Sequence, residues 1–208
     1  MSDLVGSTHL AEQLGDSRAS TLFARYESLS RDLLVTCDGW EIDKADGFLL
    51  LFDHAYSAVR YALAYHETLA RLAREEGIRL EARVGIHQGK VMLRRNPPEH
   101  IARGAKPLEV EGLSKPTTAR LMRLASPRQT LLTLRALRSV LETVAEEQEP
   151  IHPHLQWRAH GRYQLQGLRK SVPVFEIGLS GQSPMCPPRD ITKVQSAERE
   201  RTIPMLGL

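Results

Sequence analysis

The chain has 208 residues, of which 41% are hydrophobic and 25% charged, a length that supports one well-buried core and not two. Its 28 basic and 25 acidic residues leave a net charge of +3, so charge gives no case for a nucleic-acid partner. Two cysteines, Cys37 and Cys186, exclude a disulfide framework and a paired zinc site, and no apolar run reaches the roughly 20 residues of a membrane helix. The opening MSDLVGST carries no charged segment ahead of an apolar one, so no secretory leader is expected. A cytoplasmic protein without a membrane span is the expectation.

In chain order, DLVGST at 3–8 reads as the end of a buried strand that turns through Gly6 into a helix, with Ser7 or Thr8 as its N-cap. Leu22, Phe23, Tyr26, Leu29, Leu33 and Leu34 recur at helical spacing over 17–37, and Gly39 closes that helix. Strand-like runs at 40–42 and 48–52 flank Lys44-Ala45-Asp46-Gly47, the composition of a tight hairpin with Asp46 at its tip. A second long helix over 55–76 has Val59, Leu63, Tyr65, Leu69 and Leu72 on its apolar side and ends at Gly77. Residues 79–86 alternate as a strand, 87–89 turn, and 90–93 form a strand that dissolves into a polar loop over 94–107. A helix over 115–125 has Ser114 as its expected cap and Pro116 in its first turn. A strand at 130–133, a helix at 134–147 and closing strands at 155–166 and 172–178 complete the body.

This order predicts an α+β fold, a ferredoxin-like α/β sandwich with helices on one face of a mainly antiparallel sheet. The domain is expected to span 1–178. The Pro-rich, mixed-charge stretch 179–208 reads as a linker-like or disordered tail.

Asp3 and Asp46 stand far apart in sequence, each followed at once by a turn or strand. Such a pair can hold divalent metal ions beside a phosphate, against the competing roles of helix cap and hairpin-turn residue. Backbone amides of Val5, Gly6, Ser7 and Thr8 would offer phosphate oxygens the start of a helix. His87, His152 and His154 read as turn and packing residues, and Tyr26, Tyr61, Tyr65 and Phe48 as core or interface aromatics.

Three stretches, DLVGST (3–8), ADGFLLLF with RVGIHQGKV (45–52 and 83–91), and EVEGLSKPTTARLMRLA (109–125), together resemble the catalytic domain of the class III nucleotidyl cyclases. The resemblance implies two divalent cations, Mg2+ or Mn2+, held at Asp3, Leu4 and Asp46. It also implies a transition-state arginine at Arg120 and base selection by Glu109 and Lys44, with Asp43 as the alternative to Lys44. The implied reaction converts ATP, ahead of GTP, to the 3′,5′-cyclic nucleotide and pyrophosphate in intracellular signal transduction. Implied too are a homodimer with sites shared across its interface and further domains after the C-terminal linker.

Pro116 replaces the family's ribose-positioning asparagine, Gln166 a triphosphate lysine and Ala45 a glycine. These departures motivate the alternative, a catalytically impaired cyclase-homology domain serving as a dimerisation or nucleotide-sensing module.

Overall fold

Leu131 and Leu132 are adjacent and both fully buried. Side chains alternate across a strand, so their sheet must be covered on both faces. The computed structural model, which describes residues 1–45, 47–147, 151–189 and 194–198, shows what covers them. Its elements are β1 (Ser2–Leu4), α1 (Ser7–Leu14), α2 (Asp16–Thr36), β2 (Gly39–Lys44), β3 (Phe48–Phe52), α3 (Ala55–Glu76), β4 (Ala82–Ile86), β5 (Met92–Arg95), α4 (Pro98–Ile101), β6 (Leu108–Glu111), α5 (Ser114–Leu124), β7 (Thr130–Thr133), α6 (Leu134–Glu147), β8 (Leu155–Leu165), β9 (Val172–Leu179) and β10 (Val194–Glu198).

Six strands form one sheet in the order β1-β4-β7-β9-β8-β10. Only β4 and β7 run parallel; the other pairs are antiparallel. On one face Val84, Ile86, Leu132, Ile177 and Leu179 join Val59, Tyr65, Leu69 and Leu72 of α3 and Leu137 and Val140 of α6. On the other face Leu131, Tyr163, Leu165 and Val174 pack against Leu121 and Leu124 of α5. The α+β class is as expected, but helices lie on both faces rather than one. The reason is that α5 presents its own apolar stripe and β4 has no side chain at Gly85 to hold it off.

Two ribbons stand off the sheet, β2–β3 and β5–β6, and pack together through Ile42, Leu49 and Val110. The polar stretch expected to be a loop contains α4, and β6 follows it at once, because Leu108 and Val110 have the β2–β3 ribbon to cover. Residues 79–81 fall outside β4, which begins at Ala82. Neither expected serine cap forms. The residue before α1 is Gly6, at φ 68, with no side-chain cap, and the one before α5 is Leu113. Ser114 Oγ instead donates to Lys90 O (2.8 Å), tying α5 to the strand segment ahead of β5.

Residues after Gly178 are fastened to the rest of the fold: Ser180 N donates to His154 O (3.0 Å), just ahead of β8, and Arg189 N to Leu124 O of α5 (2.9 Å). The linker-like composition of 179–189 therefore does not leave this part unattached. No described helix is long and apolar enough to cross a membrane.

The expected aromatic cluster is the centre of the main core, where Tyr26 and Tyr65 share a hydroxyl hydrogen bond of 2.7 Å. Burial pushes the Tyr65 phenol up to about 12 and Tyr26 further, so both stay neutral. His66, hydrogen-bonded to Thr130 Oγ1 (3.0 Å), is pushed down to about 4 by burial and, secondarily, by Arg128. An unfolded chain takes up that proton near pH 6.5 while the folded one resists it to about pH 4, so this contribution to stability is full above pH 6.5 and is lost as pH falls through that window. Thermal midpoints should fall between pH 6.5 and 4, and less steeply in His66→Gln; equal slopes in the two proteins would refute the assignment.

Candidate functional site

β1 is three residues long, yet it is fully paired. Ser2, Asp3 and Leu4 oppose Val84, Arg83 and Ala82 of β4, and Met1 and Gly85 exchange both backbone hydrogen bonds at 2.9 Å. This ladder removes the fraying that a strand end invites. In register, Asp3 faces Arg83 directly, and Arg83 Nη2 donates to Asp3 Oδ2. Their side chains keep only 19% and 23% of their exposure, respectively. Arg83 Nε is buried without a hydrogen-bond partner among the described residues. A guanidinium with an unused donor beside a carboxylate is a site prepared for another anion. Arg83 was not among the sequence candidates; its signal was the two-residue spacing to Gly85 in RVGIHQG, which puts its side chain beyond the strand face that packs on α3.

Asp46 lies outside the described residues. Its neighbour Gly47, however, sits hard against β1: a Cβ there would lie 1.9 Å from Ser2 O and 2.8 Å from Asp3 Cα. Phe48 N donates to Ser2 Oγ (3.3 Å) and Ala45 N to Gly47 O (3.0 Å). Gly47 and Phe48 are thereby held against the backbone of Ser2 and Asp3. Among the described residues no three His, Cys, Asp or Glu side chains form a cluster able to hold a metal.

At the start of α1, Leu10 N already bonds Gly6 O (2.9 Å), while the amides of Ser7 and Thr8 have no acceptor within the helix by position. Val5 differs from expectation. Its N–H donates to Glu81 O (2.9 Å) and so is engaged within the sheet. A cavity of about 390 Å³ opens beside Ser2, walled by β3, the His87–Val91 segment and the first turn of α5 at Lys115 and Thr118. In its wall His87 Nδ1 meets Thr133 Oγ1 (3.1 Å), and burial followed by Arg135 lowers its pKa. The structural role expected of His87 holds.

The structure separates the other candidates from Asp3. Arg120 is half-buried on α5, and its Nη2 is 3.4 Å from where a Cβ would stand on Gly167, in the β8–β9 turn. Four strand spacings, from β1 across β4, β7 and β9 to β8, amount to roughly 19 Å. Arg120 has no ion-pair partner among the described residues, and the exposed Gln166, Arg169 and Lys170 lie in the same turn.

Of the base-selecting candidates, Lys44 pairs across the ribbon with Phe48, on the core side, and its ammonium is held by Glu27 of α2. Asp43 pairs with Leu49 on the face toward β6 and is held by Lys106. As neighbours on one strand the two point to opposite sides, and the register shift between Glu41 and Asp43 sets which of them faces β6. Lys44 is therefore not the side chain presented between the arms; Asp43 is. Glu109 faces away from Leu108 and Val110, which cover the arms' shared core, and stands opposite Arg94.

The β1 edge, two projecting hairpin arms and a helix on each sheet face form an arrangement found in solved structures. The chain has the fold of the class III nucleotidyl cyclase catalytic domain. The adenylyl cyclase CyaB from P. aeruginosa matches with a TM-score of 0.71 at 17% identity, over 85% of this chain and 90% of that one. An adenylate cyclase from Trypanosoma brucei, solved in its monomeric state, matches at 0.70 and 19% over 95% and 93%. The guanylate cyclase domain of RhGC from Catenaria anguillulae, solved in complex with GTP, matches at 0.65 and 12% over 86% and 93%. In sequence, no family model and no curated protein matches the chain. Adenylyl and guanylyl enzymes share this fold, so the fold itself does not choose the base.

Substituting Gly47→Ala forces a methyl group into Ser2 O and should destabilise the protein by about 2 kcal/mol or more. Thermal unfolding measures it; a wild-type midpoint would show that the turn does not rest on β1.

Proposed function

We propose that the chain is a purine nucleotidyl cyclase domain that acts as a homodimer, converting ATP, ahead of GTP, to the 3′,5′-cyclic nucleotide and pyrophosphate in intracellular signalling. The observation that carries this reading is a separation: Asp3 and Gly47, the neighbour of Asp46 in sequence, stand at one sheet edge and Arg120 at the β8–β9 side. One chain cannot close such a site. Two chains related by a two-fold axis can, each lending Arg120 to the other's acids. The exposed Trp40, Met92, Leu93 and Leu113 on and beside the two arms supply apolar surface for that contact.

The acidic edge suits two divalent cations, Mg2+ or Mn2+, with Asp3, Leu4 and Asp46 as their holders; the close approach of Gly47 to Asp3 fits that use. The chemistry cations supply there is activation of the ribose 3′-hydroxyl and neutralisation of the triphosphate. The chain's own groups do the rest. Arg83, now the counter-charge of Asp3, is placed to turn its free Nε toward a phosphate oxygen. Ser7 and Thr8 offer amides at the α1 start. Arg120 opposes charge growing on the transferred phosphoryl group. Arg169 and Lys170 place positive charge in the turn where Gln166 lacks it. Glu109 accepts from an exocyclic amine such as that of adenine.

Pro116 favours a second reading, an impaired cyclase-homology module for dimerisation or nucleotide sensing. As the third residue of α5 it fits the helix but offers no side-chain hydrogen bond to a ribose.

Turnover of ATP and GTP with Mn2+ decides between them. Asp3→Ala, Asp46→Ala and Arg120→Ala should each lower turnover by about 10²–10³-fold. Mixing the Asp3 and Arg120 variants should restore roughly a quarter of the wild-type rate, because half the dimers then hold one intact site. No restoration would remove the shared site; full activity in Asp46→Ala would remove the metal assignment. Metal-dependent nucleotide binding without product would leave the module.

A further inference from the structure

Glu176 of β9 is fully buried, far from the acidic edge, and takes no part in the chemistry above. Its carboxylate is saturated with donors. Oε2 accepts from Gln129 Nε2 (2.7 Å) and His160 Nε2 (2.9 Å), and Oε1 accepts from the backbone N–H of Met185 (2.8 Å). A buried carboxylate with this many partners fixes whatever donates to it, since releasing any one leaves charge without compensation.

Two of the three donors lead to α5. Gln129 Oε1 accepts from Ser126 N (2.8 Å) and Gln129 N donates to Ser126 O (3.0 Å), two residues beyond the helix end. Met185 belongs to a strap, residues 182–189, laid over the part of the sheet that α5 leaves uncovered. Gln129 Nε2 also donates to Cys186 O (2.7 Å), Arg158 to Met185 O (2.5 Å) and Arg128 to Gln182 O (2.5 Å). The strap ends on the helix itself, with Arg189 N donating to Leu124 O, the last residue of α5 (2.9 Å). A C-terminal helix carbonyl that ordinarily faces water is here capped by chain from the end of the domain.

We propose that the strap is a positioning element for Arg120, with Glu176 as its buried hub. Held through Met185, Gln129 and Arg189, the C-terminal end of α5 cannot shift, and Arg120, one turn upstream of Leu124, keeps its guanidinium over Gly167. The importance of Arg120 rests on the cyclase reading; the mechanical tie between strap and helix does not.

One contact isolates the strap. Gly178 lies beneath it, and a Cβ there would stand 1.7 Å from Ser183 Oγ and 2.4 Å from Ser183 Cβ. Gly178 has no left-handed backbone to strain, so Gly178→Ala lifts the strap by collision alone. Adding Ser183→Gly removes both colliding atoms and keeps Ser183's N–H bond to Leu179 O. In hydrogen exchange on the full chain, Gly178→Ala should speed the strap amides and those of residues 122–125 by about 10-fold, with both restored in the double variant. In turnover assays kcat should fall by about 10²-fold with KM unchanged, and the double variant should recover it. Faster strap exchange with 122–125 unchanged overturns the proposal, as does wild-type exchange throughout in Gly178→Ala. Absence of turnover in the wild type overturns the cyclase reading instead, and exchange alone then decides the coupling.

Discussion

A side chain at position 85 would have nowhere to go. A Cβ on Gly85 would stand 2.6 Å from Met122 N and 2.8 Å from Thr118 O, so α5 lies with its backbone directly on β4. That contact fixes the whole candidate site. The same strand faces Asp3 with Arg83 on its outer side and carries β7 in parallel on its inner side. Helix α5, lying on it, carries Arg120 toward the β8–β9 turn. Acid edge and arginine helix are referred to one five-residue strand, and a change of register there would move both.

Charge follows the same plan. Along the arms the ions are paired within the chain: Lys44 with Glu27, Asp43 with Lys106, Arg31 with Glu41, Arg94 with Glu111. Asp3 is paired too, but with an arginine that keeps one donor in reserve. Among the cations without an ion pair in the described residues, Arg120, Arg169 and Lys170 lie at the β8–β9 side of the sheet, and Lys90, Lys115 and Arg135 line the cavity beside Ser2. Asp3 and Arg120 stand some four strands apart, and the width of the sheet sets that separation more firmly than any single residue.

Much of the fold is legible in periodicity. The long helices show as apolar stripes because their buried faces repeat every turn, and the β2–β3 hairpin shows in the Lys44–Gly47 composition. Less legible were the events set by contacts distant in sequence. Leu108 and Val110 form a strand because Ile42 and Leu49 wait opposite. Ser114, a good cap by composition, is drawn off to Lys90 O. Val5, an amide expected to be open, is taken by Glu81. Which of Lys44 and Asp43 faces β6 is set by one shift in strand register. Arg83 showed only its spacing to Gly85, because its meaning lies in a partner 80 residues away.

By itself the sequence determined the α+β class, through hydrophobic period, and singled out two aspartates each set ahead of a turn or strand and an arginine in a helix. These are local properties, written in spacings of a few residues. Tertiary structure alone decided where the charges go: that Asp3 meets Arg83, that Gly47 sits against β1, that Lys44 is withdrawn to Glu27 and that Arg120 lies some four strands away. The physical reason is that an ion pair or a close backbone approach depends on distance in space, which strand order and register set and which no local pattern contains.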